Sequence, residues 1–298
     1  MLNKTRFTSI ENEALRLCSE IESWPFYYKR RRIEFESIYE LLPKKEFRNT
    51  LEIGCGIGYQ SAMLAAISKH VTATDIAEKN LPSSHTPGLK IAKKLNLSLK
   101  VENINFTVCS AEKLPFTDNS FDLLYSSHAI MYSKNLKESI NEIKRVLTDD
   151  GIAIIILPTS MAVFYNVITF YPNLLIRITK RIFKSKTTLK INDEDHVTTN
   201  VNQSFLTRIF PQPHFLEFKN VAVEFKKWSA STWIKALGLH KGNKWVSTQV
   251  SPFTSLIGDI SPKTGTNLHQ LTRKIELKLG RFPFIKKFGI NMVIFVTK

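Results

Sequence analysis

Three features of the chain predict an open α/β fold built on a mostly parallel sheet. The run Leu51-Glu52-Ile53-Gly54-Cys55-Gly56-Ile57-Gly58-Tyr59 is a glycine-rich turn from a strand into a helix. The β-branched stretch Val71-Thr72-Ala73-Thr74-Asp75 follows and closes on a carboxylate. The run Ile152 to Leu157 is wholly apolar, as expected of a strand covered on both faces. A β-strand, a crossover helix and a second strand in parallel make a right-handed unit, and such units build doubly wound sheets.

Taken along the chain, residues 10–42 read as two helices, the second from Pro25 through Leu42. They make an N-terminal helical cap, 1–48, with Tyr27 or Tyr28 placed beside a cofactor or packed on the core. A core over 49–158 then begins with the glycine turn. Residues without a Cβ let a ligand approach the backbone closely, and the following helix offers unpaired N–H groups at its start. Gln60 to Lys69 carries Met63, Leu64 and Ile67 on one side and predicts that helix. Leu123-Leu124-Tyr125 reads as a further strand, Leu136 to Leu147 as an amphipathic helix ending in Thr148-Asp149-Asp150-Gly151, and Ile152 to Pro158 as the fifth strand. Asp118-Asn119-Ser120 is a polar turn. The remainder, 159–298, is a basic lid or substrate region, and its final Gly289 to Val296 reads as an apolar strand. The glycine spacing excludes a dinucleotide fingerprint, because Tyr59 stands where G-x-G-x-x-G needs its last glycine.

Glu52-x-Gly54-x-Gly56-x-Gly58, the strand ending in Asp75, and the block Cys109-Ser110-Ala111-Glu112-Lys113-Leu114-Pro115-Phe116 through Asp122 together resemble the class I S-adenosylmethionine (SAM) methyltransferases of the ubiquinone/menaquinone type. The resemblance runs from about residue 49 to 158. It implies a Rossmann-like, three-layer α/β/α fold with a seven-stranded, mostly parallel sheet whose last strand is antiparallel. It also implies SAM as cofactor, held by Glu52, Gly54, Cys55, Gly56, Gly58, Asp75, Ile76, Ser110, Ala111, Glu112 and Ser126. Asp75 would take the ribose hydroxyls. Cys109 and Ser110 depart from the family's usual Gly-Asp, which leaves the Ser110 hydroxyl and the Ala111 N–H to meet the adenine. Pro211 to His214, Phe218 to Phe225, Trp228 and Ser231 to Leu239 resemble a bacterial branch that acts on sugar, polysaccharide or lipid-linked substrates.

SAM carries an activated methyl, so the protein has to align an acceptor and exclude water, and a hydroxyl acceptor also profits from a general base. His128, following Tyr125-Ser126-Ser127, falls at the carboxyl edge of the sheet and is the candidate catalytic base; His196 and His214 are weaker ones. No metal site is expected from Asp193-Glu194-Asp195-His196, since acidic loop tips are common. Cys18, Cys55 and Cys109 share no ligand spacing and fit a reducing cytoplasm, and Met1 to Leu15 has no secretory pattern. Cys55 is expected to be a small filler in the turn.

The net charge of +16 is unevenly spread: residues 159–298 hold 21 Lys/Arg against 7 Asp/Glu, while 51–158 are balanced at 11 and 11. The basic half should meet an anionic partner. From Gly151 to Ile176 no residue is charged, yet Pro158 divides the run, and Met161 to Phe170 is too short to span a bilayer. Residues 162–190 pass from aromatic and aliphatic residues into a cluster of cations, which predicts either a lid on the substrate or peripheral contact with an anionic membrane. The acceptor expected is a small molecule, glycan or lipid-linked compound, methylated at oxygen or carbon. The alternatives are an RNA methyltransferase, for which no Asn-Pro-Pro-Tyr-like tetrapeptide or aromatic–basic stacking module is found, and a SAM-binding sensor without catalysis.

Overall fold

The computed structural model describes residues 8–13, 16, 25–76, 88–184, 220–238, 245–248 and 262–298. Seven strands form one sheet: β1 (Phe47–Ile53), β2 (Ser68–Asp75), β3 (Ile104–Val108), β4 (Phe121–Ser127), β5 (Leu147–Pro158), β6 (Trp245–Thr248) and β7 (Asn291–Thr297), in the order β3-β2-β1-β4-β5-β7-β6. The first five are parallel, and β7 runs antiparallel between β5 and β6. The sheet reverses its winding between β1 and β4, where ligands bind in open α/β folds. The predicted seven-stranded sheet with an antiparallel last strand is therefore observed.

Helices cover both faces. On one, α1 (Pro25–Leu41) and α2 (Tyr59–Ala65) bury Phe35, Ile38, Met63 and Leu64 against Val71, Leu123 and Ile154. On the other, α4 (Leu136–Val146), α6 (Val221–Lys227) and α7 (Ala230–Ala236) enclose a cluster containing Leu124, Ile140, Ile143, Ile155, Trp228 and Trp233. Between them in sequence lie α3 (Gly88–Ser98) and α5 (Ser160–Lys184), and α8 (Pro262–Leu279) precedes β7. Trp233 donates its indole N–H to the Pro158 carbonyl at 2.8 Å, which fastens α7 to the end of β5.

Several boundaries differ from the sequence reading for identifiable reasons. α2 ends at Ala65, not Lys69, because the Phe47 N–H takes the Ile67 carbonyl at 2.9 Å and draws the chain into β2 at Ser68, three residues before the expected Val71. Ile67 still reaches the core. α4 stops at Val146: Leu147 is extended and pairs with Phe121, so Thr148 to Gly151 belong to a longer β5 and not to a turn. Met161 to Phe170 is the first part of a 25-residue helix that carries Pro172 and continues to Lys184. Among the described residues no helix is long and apolar enough to cross a membrane. Pro25 to Leu41 is helical as expected, while the side chains of Tyr27 and Tyr28, and residues 193–196 and 214, lie outside the described ones.

Candidate functional site

The glycine turn is built by backbone geometry that L side chains resist. Gly54, Gly56 and Gly58 all have positive φ, at 75°, 53° and 73°. A Cβ at Gly58 would stand 2.7 Å from Asn96 Nδ2 and 2.8 Å from Ala92 Cβ, so this glycine admits α3 against the start of α2. At Gly56 a Cβ would meet nothing within 4 Å, which makes this the open side of the turn. The turn is pinned to β2 by the N–H groups of Gly54 and Cys55, which donate to the Thr74 carbonyl at 2.8 and 2.9 Å.

The Asp75 carboxylate, buried at the end of β2, accepts from the Gly56 N–H at 2.8 Å and from its own neighbour's N–H, Ile76, at 2.7 Å. The predicted pair of glycine turn and acidic strand end thus meets directly. Ile76 is 65% exposed and presents an apolar side chain beside that carboxylate. Glu52 lies beneath the turn, fully buried, and accepts from the Ser61 hydroxyl. Burial foremost, with the negative charge of Asp75 added against the Ser61 hydrogen bond, raises its pKa to about 8, so this acid is protonated at neutral pH. The same burial and carboxylates push the Cys55 thiol well up, and burial raises Cys109 as well. Neither is poised as a thiolate nucleophile.

Ser110 Oγ accepts from the Glu112 N–H at 3.3 Å, and the Glu112 carboxylate takes the Ser133 hydroxyl at 2.7 Å and the Asn135 N–H at 2.9 Å. These bonds, the Ser133 hydroxyl first, hold its pKa below the usual carboxylate range. Glu112 thereby ties the loop of Ser110 and Ala111 to the start of α4. Ser126 is fully buried inside β4, and its Oγ finds no hydrogen-bond partner among the described residues.

His128 follows β4 in a left-handed conformation, φ 55°, with a half-buried ring and its N–H donated to the Ile156 carbonyl at 2.9 Å. Histidine is among the residues that tolerate this region, and the sharp turn keeps it at the sheet edge. A contact that sequence reasoning missed brings it to the glycine turn. A Cβ on Gly54 would lie 2.0 Å from Ala129 Cβ, so this glycine exists to let the loop of His128 and Ala129 press against the turn. No one-dimensional spacing signals such a pairing.

Arg31 was also missed. Within Lys29-Arg30-Arg31-Arg32 it reads as part of a solvated basic run, yet it is buried, pairs with Glu34 at 2.7 Å and donates to Ser127 Oγ at 3.2 Å. Glu34 also accepts from Asn291 at 2.7 Å and Thr248 at 3.0 Å. One ion pair therefore binds α1 to the edges of β4, β6 and β7, next to His128.

This donor set fits SAM: an open glycine backbone, a buried carboxylate for hydroxyls and an exposed aliphatic residue for a flat ring. Among the described residues no cluster of His, Cys, Asp or Glu could hold a metal ion.

Comparison with known proteins agrees. The family model described as "Methyltransferase domain" matches residues 51–155. The ubiquinone/menaquinone biosynthesis C-methyltransferase UbiE of Rickettsia bellii is 34% identical over 35% of this chain and 41% of its own length. A sterol 4-C-methyltransferase of Caenorhabditis elegans is 30% identical over 38% of this chain and 32% of its own. The 24-methylenesterol C-methyltransferase 3 of Arabidopsis thaliana is 26% identical over 84% of this chain and 64% of its own. The matched stretch thus spans from about a third to just under two thirds of these curated relatives.

Proposed function

We propose that residues 51–155, which match the methyltransferase domain model, form a class I SAM-dependent methyltransferase domain, and that this chain methylates a lipophilic small molecule or a lipid- or glycan-linked acceptor at carbon or oxygen. The observation that carries the reading is the single junction of three elements: Gly56 on Asp75 at 2.8 Å, and Gly54 against Ala129 beside His128. A cofactor turn and a candidate base share one edge of the sheet.

Bound SAM supplies a methyl group on a sulfonium, already activated for transfer. Asp75 would accept hydrogen bonds from the ribose, Gly54, Cys55, Gly56 and Gly58 would present backbone, Ile76 would cover the adenine face, and Ser110, Ala111 and Glu112 would shape the loop beside it. Glu52, protonated and bonded to Ser61, holds the turn from below. Ser126 lies inside the strand that ends at this edge. His128 takes the proton from a hydroxyl acceptor, or orients an acidic carbon acceptor. α1, fixed by Arg31 to Ser127, closes the N-terminal side against water.

Relatives named for sterol and quinone C-methylation support a lipophilic acceptor. Work at the inner face of the membrane follows from such an acceptor. The basic half favours a second reading, RNA methylation. Radiolabelled methyl from SAM, incubated with the protein and a cell extract, should enter the organic or water-soluble fraction. Label confined to ribonuclease-sensitive material would replace this reading with the second, and SAM binding with no label anywhere would leave a sensor.

A further inference from the structure

The segment Arg281-Phe282-Pro283-Phe284-Ile285-Lys286-Lys287-Phe288, just before β7, places three phenylalanines in eight residues on the outside of the protein. Phe284 is 71% exposed and Phe282 57%, with Arg281 and Lys287 exposed beside them. Lys286 sits over the Trp245 ring, 4.0 Å from its centroid, and so stacks a cation on the edge strand β6. Solvation alone does not account for this composition, because singly scattered exposed phenylalanines are ordinary, whereas three clustered within seven residues form a patch.

Helix α5 carries a second apolar surface. Phe164, Ile168, Tyr171, Leu175 and Ile178 are each between 44% and 62% exposed. Their spacings of four, three, four and three place them in one stripe along the helix. The helix becomes basic at its far end, with Arg177, Lys180, Arg181 and Lys184 in its sequence.

The two surfaces adjoin. The Thr159 hydroxyl, at the start of α5, donates to the Gly289 carbonyl at 2.5 Å, and Tyr165 Oη donates to the Phe288 carbonyl at 3.4 Å. Phe164 packs beside Tyr165 and Phe284 beside Phe288, at ring separations of 5.9 and 5.3 Å.

We propose that this surface docks the protein on an anionic lipid bilayer, with the phenylalanines and the α5 stripe in the acyl boundary and Arg281 and Lys287 at the headgroups. Aromatic residues set among cations, on a helix that does not cross the membrane, are the chemistry of interfacial binding. A second copy of the chain is the poorer occupant. In a two-fold dimer the exposed Arg281 and Lys287 would face their own copies, whereas acidic headgroups neutralise them.

The test is flotation of the full-length protein with vesicles of phosphatidylcholine alone or mixed with phosphatidylserine, a readout that needs no methyl transfer. The wild type should float with the anionic vesicles and be released by salt. Phe282→Ser with Phe284→Ser should weaken that binding at least about tenfold while leaving circular dichroism and SAM affinity unchanged. Lys287→Glu should weaken binding to anionic vesicles alone. The proposal is overturned if the wild type floats with neither vesicle, or if the double variant floats as the wild type does. It is equally overturned if sedimentation shows a dimer that the double variant abolishes, since the patch is then a self-association surface. Failure of methyl transfer with intact flotation would overturn the enzymatic reading alone.

Discussion

Replacing Glu52 by glutamine should remove a pH dependence of stability that the buried carboxyl imposes. In the folded protein its pKa is raised from 4.5 to about 8, chiefly by burial. Between those values the folded chain holds a proton that the unfolded chain releases, so stability declines as pH rises. The contribution is complete below the unfolded value and is lost as pH climbs through the folded one. At about 1.4 kcal/mol per pH unit, the loss from about pH 5 to about pH 8 comes to roughly 3 kcal/mol. Glutamine keeps the shape and does not titrate, so Glu52→Gln should match the wild type near pH 5 and exceed its stability near pH 8. Urea denaturation followed by tryptophan fluorescence, run in parallel across that range, measures the difference while contributions common to both proteins cancel. Parallel pH profiles for the two proteins would refute the reasoning, because they would mean that Glu52 ionises as freely in the folded chain as in the unfolded one.

Asp75→Ala should weaken SAM by about 1–3 kcal/mol in calorimetry, the scale of a lost charged hydrogen bond, and unchanged affinity would remove the ribose assignment. Gly58→Ala puts a side chain at φ 73° and within 3 Å of Ala92 and Asn96, so unfolding should become easier by about 2–4 kcal/mol. Arg31→Met leaves the Glu34 carboxylate buried without its cation and should cost about 3–5 kcal/mol in denaturation, whereas a loss below about 1 kcal/mol would mean the pair is dispensable. With an acceptor in hand, His128→Ala should lower kcat and leave SAM affinity unchanged; normal turnover would assign His128 to packing alone.

Five of the seven strands were legible because each carries its own signal, as in the apolar runs at Leu123 and Ile152, the β-branched run at Val71 and glycines that only a turn requires, whereas the short β3 and β6 were not read. Boundaries were not legible, since long-range hydrogen bonds set them. The length of α2 depends on the Phe47 N–H reaching Ile67, and the end of α4 on Leu147 pairing with Phe121. The site was legible where one motif meets another in register, as at Gly56 and Asp75. It was hidden where residues distant in sequence become neighbours. Gly54 looks like a cofactor glycine and also makes room for Ala129, while Arg31 looks solvated and is buried by strands from the other end of the chain. The phenylalanines of 281–288 carry no signal in the sequence that tells surface from core, and only their exposure does.

The most direct measurement is calorimetric titration of SAM into the wild type and Gly56→Ala, with circular dichroism on both. The methyl added at Gly56 meets no protein atom within 4 Å, so beyond the strain of about 1–2 kcal/mol that φ 53° puts on an L residue it acts on the ligand's side of the turn, and circular dichroism separates the two effects. Saturable binding at one site in the wild type, lost or severely weakened in a folded Gly56→Ala, is the predicted result. A folded wild type that does not bind SAM, or a variant that binds it equally well, would contradict the account.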